Sequence, residues 1–494
     1  MLSAILLSAT VLAVSIIDPA RATPISTSTN QTLAWTNCTS VPDGPYPQHF
    51  RCAKLEVPLY YENPASDKIK LTLVKIPATN TAKRIGTWIF QEGGPGTSTA
   101  HDLPSIDGTE GFRELQTYFD VLAVDPRGVG VNFPVCFSPE LLTSGARGKF
   151  RNYPKTEGEW KATLEYWGEV GEDCLNRTGP IFHTLSSATA ARDLESARVA
   201  LGEGGINYYG LSWGIQRGQM YAQYYPKNIR TMVLDGVVDH SIQMADFSAA
   251  QQIGHGFSAA NFFNWASTNS SSALYGQDAA KIMDDLVAKA DQTPIPVPNV
   301  NTTTTFPNVT GEDIRQAFLD GFWHEYNWPA VATWIAESAQ GNVTGFAMPV
   351  FTETSLNSPA IACSDWLTNE TYAQFPDRER MAASFSSGNF EGGTGMRAWA
   401  TYCSKWPIPV VNPPARSEIA NTSAPILLVN ALWDPATPYD FAVNIQRQIP
   451  GSVLLTRKGN GHGSLFPWGG EAGDAMSQYF VSGKPPPAGT VVYS

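Results

Sequence analysis

Apolar and polar residues follow two different periods along the chain. Short apolar runs suited to strands come early, at Leu55–Leu59, Ile69–Ile76, Thr87–Phe90 and Phe119–Val124, with Gly/Pro turns between them. At Ala188–Leu201 the period changes. Ala190, Leu194, Ala197 and Leu201 recur at helical spacing, and Gly202 supplies a stop. The strand-like Ile206–Gly210 runs straight into Leu211-Ser212-Trp213-Gly214. A helical stretch, Ile215–Tyr225, follows and is closed by Pro226, and Thr231–Leu234 reads as the next strand. Strands alternating with helices predict an α/β fold with a mostly parallel sheet covered by helices on both faces.

From about Asp239 to about Pro409 the strand signals fade. Helical segments rich in Trp, Phe and Ala replace them at Ala279–Ala288, Asp313–Trp323 and Trp328–Ala339, interrupted by the Pro/Thr-rich Thr293–Pro307. The α/β rhythm returns at Pro425–Val429 and Val453–Leu455. The pattern therefore predicts core segments at 23–238 and 410–494 around a helical insertion at 239–409, with no internal repeat. The first 22 residues stand apart. Leu2–Ile17 is apolar but short for a membrane span, and Ala20-Arg21-Ala22 has small residues where a signal peptidase cleaves. Beyond it no stretch approaches the ~20 apolar residues a span requires.

Composition narrows the function classes. The chain has 494 residues and a formal net charge of −12, with no Lys/Arg-rich run, which argues against nucleic-acid binding. Apolar residues at 43% against 16% charged exclude a disordered chain. Nine Asn-x-Ser/Thr sequons, at Asn30, Asn37, Asn176, Asn269, Asn301, Asn308, Asn342, Asn369 and Asn421, fit glycosylated surface loops of an exported protein. Six cysteines without a Cys-x-x-Cys pair fit three disulfides. Pairing sequence neighbours gives Cys38–Cys52, Cys136–Cys174 and Cys363–Cys403. No His/Cys/carboxylate cluster has metal-ligand spacing, so neither a metal nor an organic cofactor is expected.

Gly210-Leu211-Ser212-Trp213-Gly214 places a serine in Gly-x-Ser-x-Gly between a strand and a helix, where small flanking residues permit a sharp turn that lifts the hydroxyl above the sheet. Serine needs a histidine base and a carboxylate to orient it. Past the insertion, Asp434 ends the apolar run Leu427–Trp433, and His462 follows in Gly461-His462-Gly463. The order Ser212, Asp434, His462 is the one this architecture uses. Two alternatives compete. His255, in Gly254-His255-Gly256, repeats the local pattern but precedes the acid, and Asp434 could be a helix N-cap. An oxyanion site also needs N–H donors, and those of Trp213 and of Gly94, in Gln91-Glu92-Gly93-Gly94-Pro95-Gly96, are the candidates.

Together these residues resemble the prolyl/tripeptidyl aminopeptidase group of α/β-hydrolases, most closely its secreted tripeptidyl aminopeptidase branch. The resemblance rests on Gly93-Gly94-Pro95-Gly96, Asp125-Pro126-Arg127-Gly128-Val129-Gly130, Ala191-Arg192-Asp193-Leu194, Asn207–Gly214, Val233–Val237, Asp434-Pro435-Ala436-Thr437-Pro438 and Gly461-His462-Gly463, with Tyr60–Pro64 near the start. It runs from about Cys38 to the C-terminus. It implies the triad Ser212, Asp434 and His462 and makes the helical insertion a cap. Glu92 departs from the His or Asn that many relatives carry there, and no cysteine follows Cys403. The expected activity is a secreted serine peptidase acting on free N-termini. The alternatives are a carboxylesterase or lactonase and, from another class, a non-catalytic binding protein. Glu325, in Trp323-His324-Glu325-Tyr326, and then Glu92 are the candidate acids for a substrate ammonium.

Overall fold

The structure, a computed structural model, describes residues 31–38, 46–130, 141, 154, 156–298, 300–302, 305–347, 357–368, 370–384, 401–465 and 470–493. In chain order its elements begin with β1 (Thr36–Asn37), β2 (Arg51–Pro58), β3 (Lys68–Ile76), β4 (Gly86–Gln91), α1 (Thr99–Ile106), α2 (Glu110–Tyr118) and β5 (Phe119–Val124). There follow α3 (Glu157–Thr178), α4 (Ser187–Leu201), β6 (Ile206–Leu211), α5 (Gly214–Tyr224) and β7 (Ile229–Asp235). The insertion holds α6 (Met244–Thr268), α7 (Ala279–Gln292), the two-residue strands β8 (Ile295–Pro296) and β9 (Asn308–Val309), α8 (Gly311–Phe322), α9 (Trp328–Ala339), α10 (Asn357–Asp365) and α11 (Phe375–Ala383). The chain then returns through β10 (Ile426–Trp433), α12 (Tyr439–Gln448), β11 (Val453–Asn460), α13 (Gly470–Ser482) and β12 (Val491–Tyr493).

Ten strands form one sheet in the order β1-β2-β3-β5-β4-β6-β7-β10-β11-β12. From β5 to β12 every pairing is parallel, whereas β1, β2 and β3 join the edge antiparallel. This is the α/β-hydrolase fold. Central strands read as continuous apolar runs because both faces are covered. Residues of β4 and β10 such as Ile89 and Leu428 pack on one face with α4 and α5, and Trp88, Phe90, Leu427 and Val429 pack on the other with α1, α2 and α13.

The insertion builds its own core from Phe262, Phe263, Phe318, Phe322, Trp328 and their neighbours. Two long helices, α3 and α6, lie outside the elements expected from the sequence. α6 buries residues on several faces, among them Ser248, Gln251, Gln252, His255 and Ser258, so polar and apolar positions do not sort by side. α3 was legible: a Thr156/Glu159 capping box precedes buried Trp160, Thr163, Trp167, Val170 and Cys174. It packs with Ala360, Ile361 and Ile408, so residues before β6 share a core with the end of the insertion.

Cys38–Cys52 and Cys363–Cys403 are bonded as expected. Cys174 is also oxidised, and its expected partner Cys136 lies outside the described residues. So do residues 1–22 and the sequons Asn30 and Asn369. None of the other seven sequon asparagines is buried. Among the described residues, no helix is long and apolar enough to cross a membrane.

Candidate active site

Ser212 follows β6 directly and has φ 55°, a left-handed conformation that a side chain adopts only when its surroundings impose it. They do so here. Its N–H donates to the Asp235 carbonyl at 2.9 Å, and Ile215 N–H donates back to the Ser212 carbonyl. The flanking glycines are sterically required. A Cβ at Gly210 would lie 2.9 Å from the Gly214 carbonyl oxygen, and one at Gly214 would lie 2.6 Å from that of Gln91. The turn is tight enough to start α5 at once and leave Ser212 half-buried at the carboxyl end of the sheet.

Gly93 touches this turn. A Cβ there would stand 2.6 Å from Ser212 Cβ, 2.9 Å from Ser212 Oγ and 2.7 Å from Trp213 N. The Gly93-Gly94 loop and the Trp213 amide thus share one side of the serine. Gly94 has φ 102°, which a residue with a side chain would resist. Ser358 at the start of α10 donates to the Pro95 carbonyl at 2.6 Å, tying the insertion to the loop.

Asp434 lies just beyond β10 and His462 just beyond β11. His462 Nδ1 is 3.0 Å from both Asp434 oxygens, and Ala436 and Thr437 N–H groups donate to Asp434 Oδ1 at 2.8 Å. Burial works against ionising Asp434, but His462 and these N–H groups outweigh it and hold the carboxyl below its usual range. Burial likewise disfavours a charged His462, yet Asp434 outweighs it and raises the imidazole above its ordinary value. His462 Nε2 is buried with no hydrogen-bond partner among the described residues.

Three supports were not singled out from the sequence. Arg457, in β11, donates to the carbonyls of Asn460, Gly461 and Gly463 and to Ser464 Oγ, cradling the histidine loop. Asp235 accepts from Ser464 N, Leu465 N and Tyr209 Oη. Asn430 accepts from Val237 N and donates to the Thr437 carbonyl, bracing the acid turn. A polar residue within an apolar strand was the available signal for Arg457 and Asn430.

His255, the rival base, is also close. It is 1% exposed, its ring centroid is 6.3 Å from that of Trp323, and it feels the charges of Asp434 and His462. Neither of its ring nitrogens has a hydrogen-bond partner among the described residues, and burial pushes it down to about 3. The hydrogen-bonded partner of Asp434 is His462.

The two candidate acids part company. Glu325 lines a pocket of about 450 Å³ beside the histidine loop, walled by Trp265, Trp328 and Trp433 with Asn261, Asn264 and Asn460. Its Oε1 accepts from the backbone and side-chain amides of Asn460, and His462 N–H donates to the Trp323 carbonyl at 3.1 Å. Glu92 instead has Oε2 buried with no hydrogen-bond partner among the described residues, and burial first, then the charges of Asp102 and Asp125, push its carboxyl well above its usual range. Among the described residues no group of three or more His, Cys, Asp or Glu could hold a metal.

A family model described as TAP-like protein matches residues 392–492, which include Asp434 and His462. The chain is 25% identical over 475 residues to the tripeptidyl aminopeptidase of Streptomyces lividans, covering 92% of this chain and 85% of that one. It is 26% identical over 483 residues to the serine protease Hip1 of Mycobacterium tuberculosis (93% and 90% covered). To carboxylesterase B of the same organism it is 26% identical over 482 residues (92% and 88%).

Proposed function

We propose that the chain is a serine hydrolase of the TAP-like kind and, within it, an exported, glycosylated peptidase releasing residues or short peptides from free N-termini, a reading supported by its similarity to the tripeptidyl aminopeptidase and the Hip1 protease. In this reading Ser212 Oγ attacks the scissile carbonyl, and His462 Nε2 takes its proton and returns it to the leaving amine. Asp434 fixes the imidazole through Nδ1, and water then releases the acyl group by the same relay. The N–H groups of Gly94 and Trp213 receive the developing oxyanion. The observation that supports the proposal is the tight approach of Gly93 to Ser212 and Trp213, where an added Cβ would lie 2.9 Å from Ser212 Oγ and 2.7 Å from Trp213 N, leaving room for an oxyanion only beside a glycine.

Recognition of a free N-terminus falls to Glu325. A carboxylate in a pocket with three indole walls suits an ammonium, through charge pairing and cation–π attraction. The similarity to a carboxylesterase keeps an ester reading alive beside it. Comparing free and N-acetylated peptides decides between them. Acetylation removes the charge partner and is expected to cost about 2–5 kcal/mol, roughly thirty- to several-thousand-fold in kcat/KM. Glu325→Gln should reproduce that loss on free peptides and leave aryl esters unaffected. Equal cleavage of blocked and free peptides would replace the peptidase reading with the esterase one. A phosphonate that fails to label wild type, with Ser212→Ala as control, would leave only a binding protein.

A further inference from the structure

Ser212 and His462 come from strands that do not touch. The nucleophile turn leaves β6 and the histidine loop leaves β11, with β7 and β10 between them in the sheet. Both residues also lie beyond the last paired positions of their strands, Leu211–Asp235 and Trp433–Asn460. Their spacing must therefore be fixed past the strand ends. It has to be fixed closely, since a misplacement of about 1 Å can cost about 10²-fold in rate.

Asp235, the last residue of β7, bonds to both loops. Its carbonyl accepts from Ser212 N at 2.9 Å, carrying the β6–β7 pairing one residue into the nucleophile turn. Its Oδ2 accepts from Ser464 N at 2.7 Å and from Leu465 N at 3.1 Å, just past His462 and on the far side of β10. Tyr209 of β6, three residues before Ser212, donates to the same oxygen at 2.8 Å. Oδ1 is buried with no hydrogen-bond partner among the described residues, so one oxygen carries all three bonds. The next residue, Gly236, has φ 70°, and its N–H donates to the Val429 carbonyl of β10 at 2.9 Å. A Cβ there would lie 2.9 Å from His462 Cε1 and 3.2 Å from Nδ1, so the imidazole rests on the main chain that follows Asp235. Arg457 holds the same loop by its carbonyls, at Gly461 and Gly463, while Asp235 holds it by its N–H groups.

We propose that Asp235 is a positioning residue that sets the spacing of nucleophile and base, with Gly236 as the surface against which the His462 ring is seated. The inference rests on the Ser212 hydrolase reading above. Asp235 is not a second catalytic acid: His462 Nδ1 is bonded to Asp434, and among the described residues no hydrogen bond joins the imidazole to the Asp235 carboxyl. Its part is to accept, through one oxygen, the N–H groups that follow the base while its main chain accepts the N–H of the nucleophile. An oxygen in that place is what the geometry requires.

Three variants test it. Phosphonate labelling gives an end-point that counts intact sites and a rate that reports their geometry, and an aryl ester gives kcat and KM separately. Asp235→Asn keeps an oxygen for Tyr209, Ser464 and Leu465 and should retain most of the wild-type kcat. Asp235→Leu fills the same space but accepts nothing. Its labelling rate and kcat should fall together by about 10²-fold, with KM little changed. Gly236→Ala leaves the carboxyl in place, should lower the same two rates without raising KM, and serves if Asp235→Leu gives no labelling end-point. A wild-type rate in either Asp235→Leu or Gly236→Ala overturns the inference alone, as does a loss in Asp235→Asn equal to that in Asp235→Leu. A wild-type protein that is never labelled removes the hydrolase reading and this inference with it.

Discussion

Asp434 and His462 are pulled in opposite directions by one hydrogen bond, which has a consequence for pH. The imidazole is raised above its ordinary value and, in the proposed mechanism, must be neutral to accept the Ser212 proton. Turnover should fall as pH drops through that raised value. The carboxyl is depressed, so what it adds to stability is present above the ordinary Asp range and lost as pH falls through its lowered value. Asp434→Asn removes the charge that raises His462 and the acceptor that fixes its tautomer. The acid limb of kcat/KM should move down, and kcat should fall about 10³–10⁴-fold. A pH–rate profile checks both, and an acid limb that stays in place would belong to some other group. His255 shows why proximity alone does not define a base: it lies beside the pair, yet among the described residues no carboxylate is hydrogen-bonded to its ring.

Single elements explain how a helical insertion is held over a sheet to which its described residues contribute no strand. α10 is stitched at both ends: Ser358 donates to the Pro95 carbonyl of the glycine loop, and Asp365 accepts from the N–H and hydroxyl of Ser187 at the start of α4. Cys363 on the same helix is bonded to Cys403, a sequence separation of 40. Closing a loop of that length removes chain entropy from the unfolded state worth about 4 kcal/mol at most. The double substitution Cys363→Ala/Cys403→Ala should lower unfolding free energy by about 2–4 kcal/mol, read from urea midpoints. Because Ser358 still anchors α10, activity per folded molecule should change less than stability. A loss of activity without a loss of stability would show that the disulfide shapes the site rather than the ensemble.

At the scale of the whole molecule, three segments distant in sequence meet at one ion pair. Arg127 donates to both oxygens of Asp193, at 2.8 and 2.6 Å, and to the carbonyls of Pro58 and Leu59, while Tyr61 Oη donates to Asp193 at 2.8 Å. The exits of β2 and β5 are thereby fastened to α4. The Arg127 and Asp193 side chains are 0% and 2% exposed, so solvent screens little of their attraction. Removing one partner strands the other's charge. Asp193→Ala should cost about 3–5 kcal/mol, and Arg127→Met with Asp193→Leu much less, because no charge is then left buried. Denaturant titration of the two variants checks the order; equal losses would mean that packing, not charge, holds this junction. These motifs are among those that carry the resemblance to the aminopeptidase group, and their structural work is assembly rather than chemistry.

The sequence by itself determined the features that local physics controls. Continuous apolar runs placed β4 to β7, because both faces of those strands are covered, and helical spacing placed α4, α5, α8 and α9, all within a few residues. Gly-x-Ser-x-Gly placed Ser212 on a sharp strand-to-helix turn because a left-handed serine tolerates only small neighbours. Neighbouring cysteines predicted the two described disulfides by loop length. Tertiary structure decided the rest. Arg457, Asp235 and Asn430 support the site through contacts from separate strands that no spacing announces. α6 has buried residues on several faces, so its period was erased by the neighbours that surround it. Glu92 and Glu325 looked alike as acids near aromatic or glycine-rich segments. Folding buried the carboxyl of one beside the glycine loop with an unpartnered oxygen among the described residues and put the other on an indole-walled pocket, and a carboxylate's chemistry is set by what surrounds it.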